Sequence, residues 1–497
     1  MRKPAVFLFG LMLTLSAFSQ TLNVNQGNVT YAYPAAAVGN ALVNGNMLTI
    51  GKKSFDVNAV RSIVIDDANI ESNSVAVVYD NASAHVVIAG GIAHLIDVKV
   101  RGAHVTVLQS AETVDEITYK LSGSSADGSL YMDGSLKATF VFDGLTLTNP
   151  DSCAVNIQDG KRINIVLKEG KVNSLTDGIR GANDGSDAHK ACFYVDGHVE
   201  FRGAGSLIIN GKVNHGFSSD EYCQLKAGTG TITVASAPND GFHIGQYFLA
   251  SGGTVNITSQ GDGIDVGKKK NPSTVDNGKM FINAGKFVIR AEGKASKGIK
   301  CDDAMEINGG ELDITCTGDA IYDAGTNDMS SASVMKCDGK FTMTAGIVKA
   351  LATGKGGRLL NAVGNVVING GKFSGASCGS MYVNDSQNDS KGHGIKTDAN
   401  IIIAGGEVYV AASEDEGRAF KTDYALNING GTVMGIGGKK STPSTSSLQK
   451  SVLYPKKGSS DIVIKNGQTV AYDGVIFTVP TQYTNKDAKI VVSCAGL

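Results

Sequence analysis

The chain has 497 residues, of which 63 are Gly and only eight Pro, with 42% apolar residues and a formal charge of -2. This composition excludes intrinsic disorder, which needs low hydrophobicity or strong net charge. It also excludes nucleic acid and anionic membrane as partners, because a near-neutral chain with no basic block beyond Lys268, Lys269 and Lys270 has no long-range field to attract them.

Residues 1–19 open with Arg2 and Lys3, continue through an apolar stretch from Ala5 to Leu15 and close on Ala17, Phe18 and Ser19, the pattern of a signal peptide cleaved near Ser19. No later segment reaches the roughly 18 consecutive apolar residues of a membrane span. The expected mature chain is therefore a soluble monomer without a transmembrane segment, secreted, periplasmic or at the cell surface. Residues 20–98 read as a small β module with a hairpin, Val75 to Val78 against Val86 to Ile88, turning at Asp80-Asn81. Eight Cys without a C-x-x-C pair or zinc-like spacing read as structural thiols.

From about residue 200 a unit recurs in which a Gly is followed by one free position and then an apolar residue, as in GTGTITV, GGTVNIT, GGELDIT and GGEVYVA. Its glycines are Gly205, Gly230, Gly253, Gly285, Gly310, Gly346, Gly371, Gly406 and Gly431. Most intervals are 23–25 residues, and the longer ones carry inserts at 267–278, 324–335 and 384–392. Apolar residues alternate before each Gly, as in Val366-Val367-Ile368, which is the period of a half-buried strand. Roughly 24 residues is too short for a propeller blade and suits one coil of a solenoid. The expected fold is all-β, a right-handed parallel β-helix over 99–440, preceded by the 20–98 module and closed by a C-terminal β cap over 441–497. The inserts are expected at one phase of the coil, projecting from one face.

Stacked coils turn repeat positions into columns. Ten residues before the Gly stand Lys300, Lys336, Asn361, Lys396 and Lys421, and eight before it Asp302, Asp338, Val363, Asp398 and Asp423. Interleaved signs make either a salt-bridge ladder or a basic strip for uronate carboxylates. Nine before it are Cys301, Cys337, Ala362, Thr397 and Thr422, small and inward, with the first two as a buried thiol pair. A turn column carries Asp-Gly or variants, including Asp177, His215, Asp240, Asp262, Lys297, Asp319, Arg358, His393 and Arg418. Turn chemistry accounts for much of it. Yet Asp240, Asp262 with Asp265, Asp302 with Asp303, and Asp319 with Asp323 collect hard oxygen ligands in successive coils, which suits calcium. Tyr322, Tyr382 and Tyr409 are candidates to stack on a sugar.

The units AGTGTITV, GGTVNITSQGDGIDV and KGIKCDDAMEINGGELDITCTGDAIYD, with the tail STPSTSSLQKSVLYP, resemble a family of exported bacterial carbohydrate-binding β-helix proteins, over roughly residues 120–460. The resemblance implies a fold related to pectate-type lyases, bound calcium, and binding of plant cell-wall polysaccharide, including polygalacturonate. Coils with Lys297, Arg358, His393 or Arg418 at the turn depart from the calcium pattern. Three readings stay open. The first is a non-catalytic module for an acidic, uronate-containing polysaccharide. The second is a calcium-dependent lyase, in which Lys297 or Lys300 takes the proton beside the uronate carboxylate before β-elimination. Neighbouring carboxylates should raise the pKa of either lysine and weaken it as a base. The third is a structural or adhesive surface protein.

Overall fold

A computed structural model describes residues 20–34, 38, 41–68, 70–112, 115–180, 187–272 and 274–497, so the expected signal peptide and its cleavage point lie outside the described residues. The described chain is all-β, with no α-helix and two short 3-10 turns at Gly90–Ile92 and Asp187–His189.

Each repeat unit supplies three strands, such as Lys297–Cys301, Met305–Ile307 and Glu311–Cys316. Each pairs in parallel with its counterpart one unit later, Ser333–Cys337, Phe341–Met343 and Ile347–Ala352. The registers place Ile299 beside Met335, Met305 beside Phe341 and Leu312 beside Val348, all buried. Units therefore stack as coils. One ladder is a 13-stranded sheet running from Ile96–Arg101 to Phe420–Thr422, parallel after its antiparallel first pair. The other two ladders merge into a broad sheet because Phe248–Ser259 and Met280–Ala291 run through both.

Alternation drives this arrangement. Inward positions join one apolar core that extends from Val24 to Val491, with Phe193, Phe217 and Phe242 following one another at 5.3 and 5.1 Å between ring centroids. Gly310, at φ +81°, makes the coil corner, and a Cβ there would stand 2.8 Å from the carbonyl of Gly285 in the coil before. At Gly298 a Cβ would come within 2.6 Å of the Val334 carbonyl, which explains why a Gly follows the turn residue. Cys301 and Cys337 are register neighbours and buried, and all eight cysteines are free thiols. Burial pushes the Cys337 thiol up to about 12, so it packs as a small apolar group.

Both ends of the stack have paired edges. The hairpin at Val75 to Ile88 forms as expected, with Val75 opposite Ile88 and Asn81 at φ 50°, and its first strand pairs in parallel with Ile117–Ser125. At the other end Lys489–Ser493 lies antiparallel to Thr432–Gly437 and to Val452–Tyr454.

The inserts depart from expectation. Residues 324–335 and 384–392 enter the coil just before a strand of the 13-stranded sheet, and each builds a hairpin: Ile321–Asp323 with Asp328–Ser330, and Tyr382–Val383 with Asp389–Ser390. Residues 267–278 instead follow a strand of that sheet, Ile264–Val266, and lead into Met280–Ala291. The first insert thus borders the opposite side. An interval between glycines counts residues without saying where in the coil they leave it.

Candidate functional site

The outer face of the 13-stranded sheet carries a cleft of about 880 Å³ whose floor crosses four coils and whose wall is the two insert hairpins. Lys297, Lys300, Lys336, Arg358 and Lys396 line it, with Asp323, Asp328, Asp338, Asp389 and Asp398. The lysine column is realised in the register, Lys300 beside Lys336, Lys336 beside Asn361, Asn361 beside Lys396 and Lys396 beside Lys421. Lys421 falls one coil beyond the cleft.

These lysines are not a bare basic strip. Lys336, Lys396 and Lys421 each reach the Asp two residues on, Asp338, Asp398 and Asp423, at 2.6 Å. Lys300 turns to Asp265 of the preceding coil at 2.8 Å, with Asp302 at 3.7 Å. Burial alone would lower Lys300, but Asp265 outweighs it and holds the ammonium firmly protonated.

Among the described residues two cations on the floor form no ion pair, although Asp262 lies near Lys297, and Asp398 and Asp328 near Arg358. Lys297 Nζ bonds to the Ala295 carbonyl and to Ser330 Oγ at 3.2 Å. Arg358 reaches Ser390 Oγ at 3.5 Å, and its buried Nε has no acceptor. Register places both beside Ser333, so they stand two coils apart, about 10 Å by strand spacing. Burial pushes Arg358 down to about 10. Lys297 is also lowered, by burial first and then by Lys336 and Lys300, against the pull of Asp262. The expectation that carboxylates would raise Lys297 therefore fails, because desolvation outweighs them.

Where the turn column carries Asp or His, the side chain caps the backbone of the next coil. Asp240 Oδ1 accepts the Asp262 N–H at 2.8 Å, Asp262 Oδ1 the Lys297 N–H at 2.7 Å, and His393 Nδ1 the Arg418 N–H at 3.1 Å. Burial pushes Asp262 up to about 7. Asp177 and Asp319 fall outside this column, at two different places, and each takes a next-coil N–H, from Lys212 at 2.6 Å and Lys355 at 2.7 Å; Ser333 holds the place assigned to Asp319.

Among the described residues the seven aspartates do not all gather at one point. Asp265 is engaged by Lys300 and His243, Asp303 by Lys268 at 3.3 Å, and Asp323 by the Gly325 N–H at 2.8 Å in its hairpin. Asp302 points toward Lys300.

Of the tyrosines, Tyr322 sits in the first hairpin with its phenol on Asn327, and Tyr382 in the second. Tyr409 is on the broad sheet, stacked 5.8 Å from Phe477 of the strand Val475–Thr478, and is not part of the cleft.

Sequence reasoning missed Arg358 as a cleft residue, although it stands 13 residues before Gly371 as Lys297 does before Gly310. It also missed that His215 and His243 close on Asp240. Nδ1 of His215 and of His243 lie 3.2 and 3.1 Å from Asp240 Oδ2, and His243 is 3.3 Å from Asp265 Oδ2. Burial alone would raise Asp240, but the two imidazoles hold it below the usual carboxylate range. Burial would likewise lower His243, which the two carboxylates push up to about 9.

Among known proteins, the carbohydrate-binding domain-containing protein family matches residues 101–380 and 296–441. A carbohydrate-binding domain-containing protein of Acetivibrio thermocellus is 31% identical over 144 residues, covering 27% of this chain and 50% of that protein, so this chain spans about half the length of that curated relative. A solved structure, the polysaccharide lyase-like protein from C. thermocellum as a gadolinium derivative, aligns with 54% of this chain and 96% of its own at 23% identity and a TM-score of 0.43. With more than half of its length, including the whole cleft, inside the matched residues, the chain belongs to the carbohydrate-binding domain-containing protein family.

Proposed function

We propose that this protein holds an acidic, uronate-containing polysaccharide along the cleft of the 13-stranded sheet without cutting it. The observation that carries the reading is the pair of half-buried cations on the cleft floor, Lys297 and Arg358, whose side chains bond to hydroxyl and carbonyl groups and form no ion pair among the described residues. A desolvated cation without a counter-ion is costly, and an anionic ligand relieves that cost. Their spacing along the stack suits a ligand that carries carboxylates at intervals. Lys300, Lys336 and Lys396 already have carboxylate partners and would contribute hydrogen bonds at the rim; Tyr322 and Tyr382 would contribute ring contacts from the hairpins. Calcium enters this proposal only as a bridge between glycan carboxylates and outward carboxylates such as Asp328 and Asp389. The reading also includes right-handed winding of the coils, export after cleavage near Ser19, a monomeric state, and a division into a module at 20–98, a β-helix at 99–440 and a cap at 441–497. Among the described residues no helix is long and apolar enough to cross a membrane.

The test is retention of the protein on polygalacturonate, with and without a chelator. A charge-assisted contact is worth about 1.5–3 kcal/mol, so Lys297→Met or Arg358→Met should weaken retention about tenfold or more. Removing an unpaired buried charge should leave the unfolding midpoint equal or higher, which separates a binding defect from a folding one. Unchanged retention in both variants would overturn the assignment.

A second reading has one observation in its favour, the lowered pKa of Lys297, which is what a general base requires. Absorbance growing near about 235 nm as an unsaturated product forms, and lost in Lys297→Met, would establish a lyase.

A further inference from the structure

We infer that His215, Asp240 and His243 form a binding site for one divalent transition-metal ion, of the zinc class, at the end of the cleft face. The three residues come from two adjacent coils, and their ligand atoms all lie within 4.8 Å of one another. The two imidazoles are stacked, 4.3 Å between centroids and 19° between planes, so that both Nδ1 atoms face the same carboxylate oxygen.

The distances match an ion's coordination sphere. Zinc bonds nitrogen and carboxylate oxygen at about 2.0–2.2 Å, so neighbouring ligands of a tetrahedral site stand about 3.3–3.6 Å apart. Asp240 Oδ2 is 3.2 Å from His215 Nδ1 and 3.1 Å from His243 Nδ1, so these two separations need change by only a few tenths of an ångström, while the nearly parallel rings turn to aim both lone pairs at one ion.

The chemistry agrees with the geometry. His215 Nδ1 also lies 3.3 Å from the Asp240 N–H. His215 Nδ1 therefore carries a lone pair and not a proton, and ligation would turn that lone pair from the N–H to the ion. Imidazole suits zinc, copper, nickel or iron, whereas calcium takes oxygen ligands. Asp265 Oδ2, tied to Lys300, lies 3.3 Å from the same His243 Nδ1, so it borders the ion's place on the side of the following coil. His215 and Asp240 are nearly sealed, while the His243 side chain is 34% exposed, which leaves a fourth coordination position open toward solvent.

The experiment uses the full-length protein stripped with EDTA. Titration with Co²⁺ should give a visible d–d spectrum that saturates at one equivalent, and calorimetry with Zn²⁺ should give the same stoichiometry. His215→Ala and His243→Gln should each weaken Zn²⁺ at least tenfold, while His104→Ala leaves it unchanged. If His215→Ala fails to fold, His243→Gln, at the partly exposed ring, carries the same readout. Absence of stoichiometric binding, or equal binding by wild type and His243→Gln, overturns the site. Both readouts are independent of any glycan, so the site stands or falls apart from the binding proposal.

Discussion

His393 shows how one coil position changes its chemistry with its neighbours. It follows Arg358 in the turn column, and burial, reinforced by Arg358, Lys396, Lys421 and Arg418, pushes its imidazole down to about 3. Neutral, it accepts the Arg418 N–H. In the unfolded chain it titrates near about 6.5. Below that value the unfolded state takes up a proton that the folded state refuses, so stability present above pH 6.5 is lost as pH falls toward 3. His393→Asn keeps a short acceptor and removes the titration. Its unfolding midpoint should therefore fall less than that of the wild type between roughly pH 6.5 and 4.5. Parallel curves would place the acid sensitivity elsewhere.

The two insert hairpins convert a flat strand ladder into a walled cleft. Each is only two or three residue pairs long, too short to be stable alone, and each is held at its base. Ser390 Oγ bonds to the Gly356 carbonyl at 3.2 Å, and Asp385 gathers the N–H groups of Gln387 and Asn388 at the tip of its turn. Because the hairpins contribute little to the core, replacing residues 383–388 with a two-residue Gly turn should leave the unfolding midpoint unchanged and reduce retention on polygalacturonate. Full retention would mean that the floor alone holds the ligand. The inserts were legible as lengthened intervals, but their opposite placement was not, since 267–278 and 324–335 lengthen the period in the same way.

Across the whole molecule, stability comes from neighbour-to-neighbour stacking, so the ends decide solubility. Lys489–Ser493 covers the edge of Thr432–Gly437, with Val433 opposite Ser493 and Ile436 opposite Ile490. Truncation before Lys489 would bare that edge and part of the apolar cluster around Tyr483 and Ile490. Such a variant should associate through edge-to-edge pairing, seen as a rise in mass by light scattering at concentrations where the intact chain stays unchanged. A truncated protein of unchanged mass would show that this strand is not what protects the edge.

What the sequence determined by itself is whatever depends on one coil: the period, the strand alternation, the corner Gly at positions such as Gly310, and the Lys and Asp columns that pair Lys336 with Asp338 and Lys396 with Asp398. Those pairs lie two residues apart, the Lys on a strand and the Asp just past its end, so residue spacing alone brings them together. Tertiary structure decided what depends on burial and on contacts between coils. Lys297 and Lys300 are three residues apart and alike in the sequence, yet burial lowers one while Asp265, 35 residues earlier, holds the other charged. His215, Asp240 and His243 meet only because the parallel register sets His243 beside Ser218 in the preceding coil and Asp265 in the next. A count of residues along the chain carries neither the depth of a side chain nor the border of the coil at which an insert departs.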